Sequence, residues 1–314
     1  MPDALTFDSS GTPCHAWHFQ GQGDEFRSDR GRPCMVMAHG FSATKDSGLA
    51  EYAERLAEGG VDVLAIDYCG FGASTATAHA AAVNPRTQQA DYHAAVACAR
   101  SLPAVDPNRI IVWGISLSAG HVLAVAAADP SIAGVIAVTP AVDGPAAIRV
   151  AVKRAPVAAA RIAAAGVADL IATLRRKPPV TVAVVGEPGT PAVMAAPGAA
   201  AGYSAMAGPT AINAVPARSV LRVAAYRPGR KAAAVTRPVL VQIADNDLSA
   251  PPSAARKAAF KCRADVRHYP CDHFDVYPGA DWFESVVDHQ LHFLRRNFAP
   301  ESPFAPLTPL VVTA

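Results

Sequence analysis

IIVWGISLSAGH, residues 110–121, decides how the chain is read. Four apolar residues at 110–113 form a strand-like run, and an alanine-rich helical pattern begins at Leu117. Between them stands Ser116, with the small residues Gly114 and Ser118 two positions to either side. A serine that only caps a helix needs no small residues around it. A nucleophile on a sharp strand-to-helix bend does, because larger side chains would collide across the turn. The bend lifts the hydroxyl clear of the sheet. It also aims the free N–H groups of the next helix at the reaction centre.

Working outward, buried-strand and helix patterns alternate. PCMVMAHG (33–40), VDVLAIDYCG (61–70), RIIVWGIS (109–116) and IAGVIAVTP (132–140) read as strands. Helical patterns cover 48–60, 86–101 and 117–128. Near-continuous apolar strands separated by helices predict a parallel sheet covered on both faces. ALTF and CHAWHF near the start read as an antiparallel edge. The alternation stops near residue 143 and resumes at RPVLVQIAD (237–245), with a helix near 251–260, a strand at ADVRHYP (264–270) and a helix near 281–296. The expectation is a core domain of residues 1–143 and 238–314, with a mainly helical lid, 144–237, inserted between two strands.

A serine hydroxyl needs a base to take its proton and an acid to orient that base. His273 follows the strand at 264–270, and Asp247 follows the strand at 237–245. Asp245 and Asp143 are alternative acids. Parallel strands bring their carboxyl ends to one edge of the sheet, where ligands bind. His39-Gly40-Phe41 ends another strand, so the N–H groups of Phe41 and Leu117 are the expected oxyanion donors. His39 is expected to shape that loop, Asp67 and Arg109 to have structural roles, and His121 to pack in the core.

These stretches resemble the α/β-hydrolases: HGF for the oxyanion loop, DYCGFGAS after the next strand, GISLSAG at the bend, ADNDLSAPP at the acid and DHF at the base. HGFSATKD and DYCGFGAS look most like the dienelactone-hydrolase and X-Pro-peptidase-like branch. The family elbow is usually G-x-S-x-G, and Ser118 replaces its last glycine. The family acid usually closes a G-x-x-D loop; Ala244 replaces that glycine, which matches Asp247 to the acid. The resemblance implies a serine carboxylic-ester hydrolase working through an acyl-enzyme, without metal or organic cofactor. The same triad also serves thioesterases, amidases, peptidases and C–C hydrolases, and the fold also serves non-catalytic receptors.

Composition narrows the partners. The 314 residues are 51% hydrophobic and 17% charged with a net charge of +2, which gives no sign of nucleic-acid or membrane-surface binding. No signal peptide is visible, and the apolar stretch 155–174, interrupted by Arg161 and Asp169, reads as a helix of a soluble protein. The six cysteines lack metal or disulfide-framework spacing and are expected to be free thiols in a reducing, cytoplasmic setting. Cys14, His15 and His18 sit on the edge strand without further ligands, so no metal is expected there. The sequence is silent on oligomeric state. The charge is unevenly spread: residues 145–237 hold thirteen Lys and Arg against Asp169 and Glu187, a net +11, while the remainder carries −9. Attraction between a basic lid and an acidic body accounts for this. So does a lid arginine that binds an anionic ester, and the composition resembles lids of actinobacterial hydrolases acting on dicarboxylic half-esters of phthalate type.

Overall fold

A computed structural model describes residues 2–74 and 82–300; the last part of the expected core, 301–314, lies outside the described residues. The chain opens with an antiparallel hairpin, β1 (Asp3–Ser9) and β2 (Thr12–Phe19). It continues through β3 (Arg32–Ala38), α1 (Leu49–Glu58), β4 (Asp62–Ile66), α2 (Pro85–Arg100), β5 (Val105–Ile115), α3 (Leu117–Ala128) and β6 (Gly134–Val138). A long insertion follows, with α4 (Gly144–Arg154), α5 (Pro156–Leu174), β7 (Thr181–Val185), β8 (Ala192–Met194), α6 (Ala199–Met206), β9 (Val215–Pro216) and α7 (Arg218–Ala225). The body resumes with β10 (Val239–Ala244), α8 (Pro252–Lys261), β11 (Asp265–Tyr269) and α9 (Phe283–Phe298).

The main sheet has eight strands in the order β1-β2-β4-β3-β5-β6-β10-β11. Every pair from β4 to β11 is parallel, and β2 joins β4 antiparallel. Strands β4, β6 and β10 are buried along their whole length, which is why they read as unbroken apolar runs. From β3 the chain crosses first to β4 and then back to β5. The connections leaving the carboxyl ends of β3 and β5 therefore diverge and open a crevice. The His39-Gly40-Phe41 loop leaves β3, and Ser116 directly follows β5.

The insertion is mainly helical and also holds a separate three-stranded sheet, β7, β8 and β9. One expectation needs correction. The cysteines are not all free, because Cys14 and Cys69 form a disulfide. Cys14 lies on β2 and Cys69 just beyond β4, and the antiparallel pairing of these strands brings their Cα atoms to 5.4 Å. The other four cysteines are free thiols. His18 is hydrogen-bonded through Nε2 to Asp62 at 2.9 Å, a tie between β2 and β4.

Candidate active site

Ser116 has φ 59° and ψ −118°, a left-handed conformation that L-residues adopt only when their surroundings enforce it. Two backbone bonds enforce it here. The Ser116 N–H donates to Val138 O at 2.9 Å, and its carbonyl accepts from Ala141 N at 3.0 Å. A Cβ at Gly114 would lie 2.4 Å from the Ser118 carbonyl carbon, so position 114 tolerates only glycine. Ser118, the departure from the usual elbow, uses its hydroxyl inside the fold. Oγ accepts from Ile115 N at 2.8 Å and donates to Ala38 O at 2.7 Å, tying β5 to β3 immediately beneath the bend.

The structure brings three of the expected residues into contact. Ser116 Oγ is 3.0 Å from His273 Nε2, and His273 Nδ1 is 2.6 Å from Asp247 Oδ2. The other Asp247 oxygen accepts from Ser249 N and Ala250 N, each at 2.7 Å. All three side chains are buried. Burial disfavours the imidazolium of His273, but the charge and hydrogen bond of Asp247, with a smaller contribution from Asp272, outweigh it and hold the pKa above the usual histidine value. The alternative acids are elsewhere. Asp245 pairs with His268 and Arg256 at the surface. Asp143 caps α4 by accepting from Ala146 N at 2.9 Å and pairs with Arg227 at 3.0 Å.

Leu117 is the first residue of α3, so its N–H has no intrahelical acceptor. Opposite it, a Cβ at Gly40 would lie 3.0 Å from Ser116 Cβ; glycine lets the loop approach this closely. His39 is fully buried, and burial, more than any nearby charge, lowers its pKa and keeps it neutral. Its Nδ1 donates to Gly40 O at 3.0 Å. In a trans peptide the N–H lies opposite the C=O, so this bond fixes the direction of the Phe41 N–H. Asp67 holds the same loop from behind, accepting from Lys45 N at 2.7 Å and pairing with the buried Lys45 ammonium at 2.5 Å. Arg109 bonds Asp106 and the carbonyls of Phe26, Gly31 and Phe298, far from the bend in the sheet.

Ser116 opens into a cavity of about 560 Å³ roofed by the insertion. Its walls come mainly from α4, α5 and α7, with Ile148, Val152, Ile162, Leu221 and Val223 among many alanines. Of the thirteen bases of the insertion, only Arg154 lines it, and among the described residues Asp143 is the one lining carboxylate. The insertion meets the body through hydrogen bonds more than ion pairs. Tyr203 Oη donates to Ser42 O, and Thr210 bonds Asp46. Tyr226, a wall residue, bonds His121 Nδ1 at 2.9 Å, while His121 Nε2 bonds Gln88 at 3.1 Å. His121 is thus a connector, not mere packing; burial first, then the charge of His39, depress its pKa to about 3 and leave it neutral. Sequence patterns gave no sign of Tyr226, because its partner is 105 residues away.

Residues 29–274 match the family described as Serine aminopeptidase, S33. Over 298 residues, 94% of this chain and 95% of the other, the chain is 35% identical to Quorum-quenching protein AidA of Acinetobacter baumannii. A shorter similarity, 34% over 111 residues and 35% of each protein, links it to Thiohydrolase aneE of Aspergillus aculeatus. The crystal structure of the α/β-hydrolase GrgF from Penicillium sp. sh18 superposes with a TM-score of 0.76 at 22% identity, covering 95% of this chain and 99% of that one.

Proposed function

The chain belongs to the α/β-hydrolases, in the family described as Serine aminopeptidase, S33, and from that premise we propose that it is a serine hydrolase of carboxylic esters. One observation carries the reading: Ser116 Oγ stands 3.0 Å from His273 Nε2 on the floor of an apolar cavity. His273 removes the hydroxyl proton as Ser116 attacks the ester carbonyl. The N–H groups of Leu117 and Phe41 hold the oxyanion. Asp247 keeps the Nδ1 proton in place, so that Nε2 is the basic nitrogen and the imidazolium is stabilised when it forms. His273 then protonates the leaving alcohol. Water enters, gives a proton to the same nitrogen, and releases the acid.

The walls favour a neutral ester with an apolar acyl or alkyl group. The half-ester reading requires a cation for the second carboxylate, and Arg154 is the one base at the wall. A thioester follows the same steps with a better leaving group, and the similarity to a thiohydrolase supports that second reading. The relative named for quorum quenching adds quorum-sensing signal molecules as candidate substrates.

Fluorophosphonate labelling of the wild-type protein and of Ser116→Ala, followed by a panel of nitrophenyl esters, half-esters, lactones and acyl thioesters, tests the proposal. Labelling should vanish in the variant and turnover should fall at least about a thousandfold with the fold intact. A half-ester cleaved faster than a neutral ester of equal size, with the advantage lost in Arg154→Ala, would restore the anionic-substrate reading. Binding without turnover of any ester would make the protein a receptor instead.

A further inference from the structure

The outward face of α5 is the feature of the molecule that the proposed chemistry leaves unused. Val157, Ala164, Val167, Ile171 and Leu174 recur at steps of seven, three, four and three residues, which places them on one stripe. Val157 is 65% exposed, Val167 52% and Leu174 85%, whereas the buried residues of this helix are Ala158, Gly166 and Asp169 on the opposite side. The helix is long and apolar enough to pass for a membrane span, yet little of it is buried in the fold. Exposed apolar stripes of this size mark interaction surfaces.

Cations frame the stripe. Lys153 and Arg161 lie exposed around its start, and Arg175, Arg176 and Lys177 at its end. The ion pairs of the insertion, among the described residues, are Arg218–Asp169 and Arg227–Asp143, which involve none of these five. We propose that this face docks on an anionic lipid bilayer, with the α5 stripe lying at the headgroup–acyl boundary and the flanking bases against lipid phosphates. A second copy of the chain is disfavoured as the occupant, because pairing would press two insertions of net charge +11 together. The helix lies on the bilayer and does not cross it: fully buried Asp169, bonded to Arg218 at 2.9 Å, fastens α5 to α7. The N-terminal half of α5 and most of α4 also wall the cavity, so docking places that cavity beside the lipid phase.

Docking is independent of the chemistry at Ser116, and flotation of the full chain with vesicles reads it without turnover. Vesicles of phosphatidylcholine alone are compared with equimolar phosphatidylcholine and phosphatidylglycerol, at low and raised salt. The wild-type protein and Ser116→Ala should bind the anionic vesicles at least about tenfold more tightly than the neutral ones, and less tightly as salt rises. The triple variant Val167→Glu, Ile171→Glu, Leu174→Glu should lose at least about tenfold in binding. The triple variant Arg175→Glu, Arg176→Glu, Lys177→Glu should lose the preference for anionic lipid. Both should keep the wild-type circular dichroism and turnover of a soluble short-chain ester. Absence of wild-type binding to anionic vesicles, or undiminished binding by the Val167, Ile171, Leu174 variant, overturns the proposal. So does a dimer in sedimentation velocity that Ile171→Glu dissociates, since a second copy would then cover the face.

Discussion

Replacing Asp247 by asparagine probes the candidate site at its most constrained point. The carboxylate serves three donors with two oxygens: Oδ2 takes His273 Nδ1 at 2.6 Å, and Oδ1 takes Ser249 N and Ala250 N at 2.7 Å. Asparagine keeps one oxygen and presents an NH₂ in place of the other. If the oxygen stays with the two backbone donors, the NH₂ faces His273 Nδ1. The ring must then accept at Nδ1 and carry its proton on Nε2, which can no longer take the proton of Ser116. If the amide turns over, two backbone N–H groups lose their acceptor, at about 1–3 kcal/mol each where buried. The first arrangement breaks fewer bonds, so the unproductive tautomer prevails. The expected loss in kcat is roughly a thousand- to ten-thousandfold, about 4–5 kcal/mol of transition-state stabilisation. The pH profile carries a second readout. His273 must be neutral to act as a base, so activity rises with pH through its raised pKa. Without the Asp247 charge, burial dominates, and the acidic limb moves to lower pH. Stability follows the opposite sign: the raised pKa stabilises the fold fully below the unfolded value of about 6.5 and ceases to do so as pH climbs through the folded value. The assay is kcat against pH on a nitrophenyl ester, with Asp245→Asn as the control, because Asp245 bonds only surface partners His268 and Arg256 among the described residues. More than about a tenth of wild-type kcat in Asp247→Asn, or a larger loss in Asp245→Asn, would refute the reasoning.

Ser118→Gly, which restores the commoner elbow, should destabilise the fold by about 1–3 kcal/mol, because it strands the buried Ile115 N–H and Ala38 carbonyl. Calorimetry should show a Tm lower by roughly 2–6 °C, and an unchanged Tm would mean that the hydroxyl ties nothing. The Cys14–Cys69 disulfide spans 55 residues, and loop closure gives it about 4 kcal/mol, so the double serine variant should unfold at clearly lower urea. In denaturant without reductant, four cysteines should alkylate and not all six. Lys45→Met leaves the buried Asp67 carboxylate without its counter-charge and should cost about 3–5 kcal/mol by urea denaturation; a cost under about 1 kcal/mol would mean that the pair does not hold the oxyanion loop.

The body was legible because its central strands, β4, β6 and β10 above all, are buried along their whole length and therefore written as apolar runs, while each candidate site residue falls just past a strand end. Ser116 follows Ile115 of β5, Asp247 follows Ala244 of β10 and His273 follows Tyr269 of β11 by a few residues. Parallel pairing of those strands then does the rest, since it puts their carboxyl ends on one side. The choice among acids came from the resemblance, whose G-x-x-D loop ends at Asp247, the carboxylate that bonds His273. What spacing does not carry is the closing contact. The bond from His39 to Gly40 and the ties made by Ser118 depend on where a backbone carbonyl points, and neighbouring side-chain types do not encode that.

The insertion resisted reading for a different reason. Alanine supports a helix without stating which side is inward, so the small sheet β7–β9 and the wall residue Tyr226 left no periodic trace. Net charge is a sum over positions and is blind to direction. Thirteen bases suggested either attraction to the body or capture of an anionic substrate, yet the seam is built mainly from hydrogen bonds of Tyr203, Thr210 and Tyr226, and only Arg154 reaches the cavity. The disulfide escaped for a related reason: 55 residues separate its cysteines, and only the β2–β4 register brings them together. Lys153, Arg161, Arg175, Arg176 and Lys177 stand exposed around the apolar stripe of α5, away from the cavity wall. On the proposed reading, such a chain meets negative charge with its outer surface and neutral chemistry with its inner one.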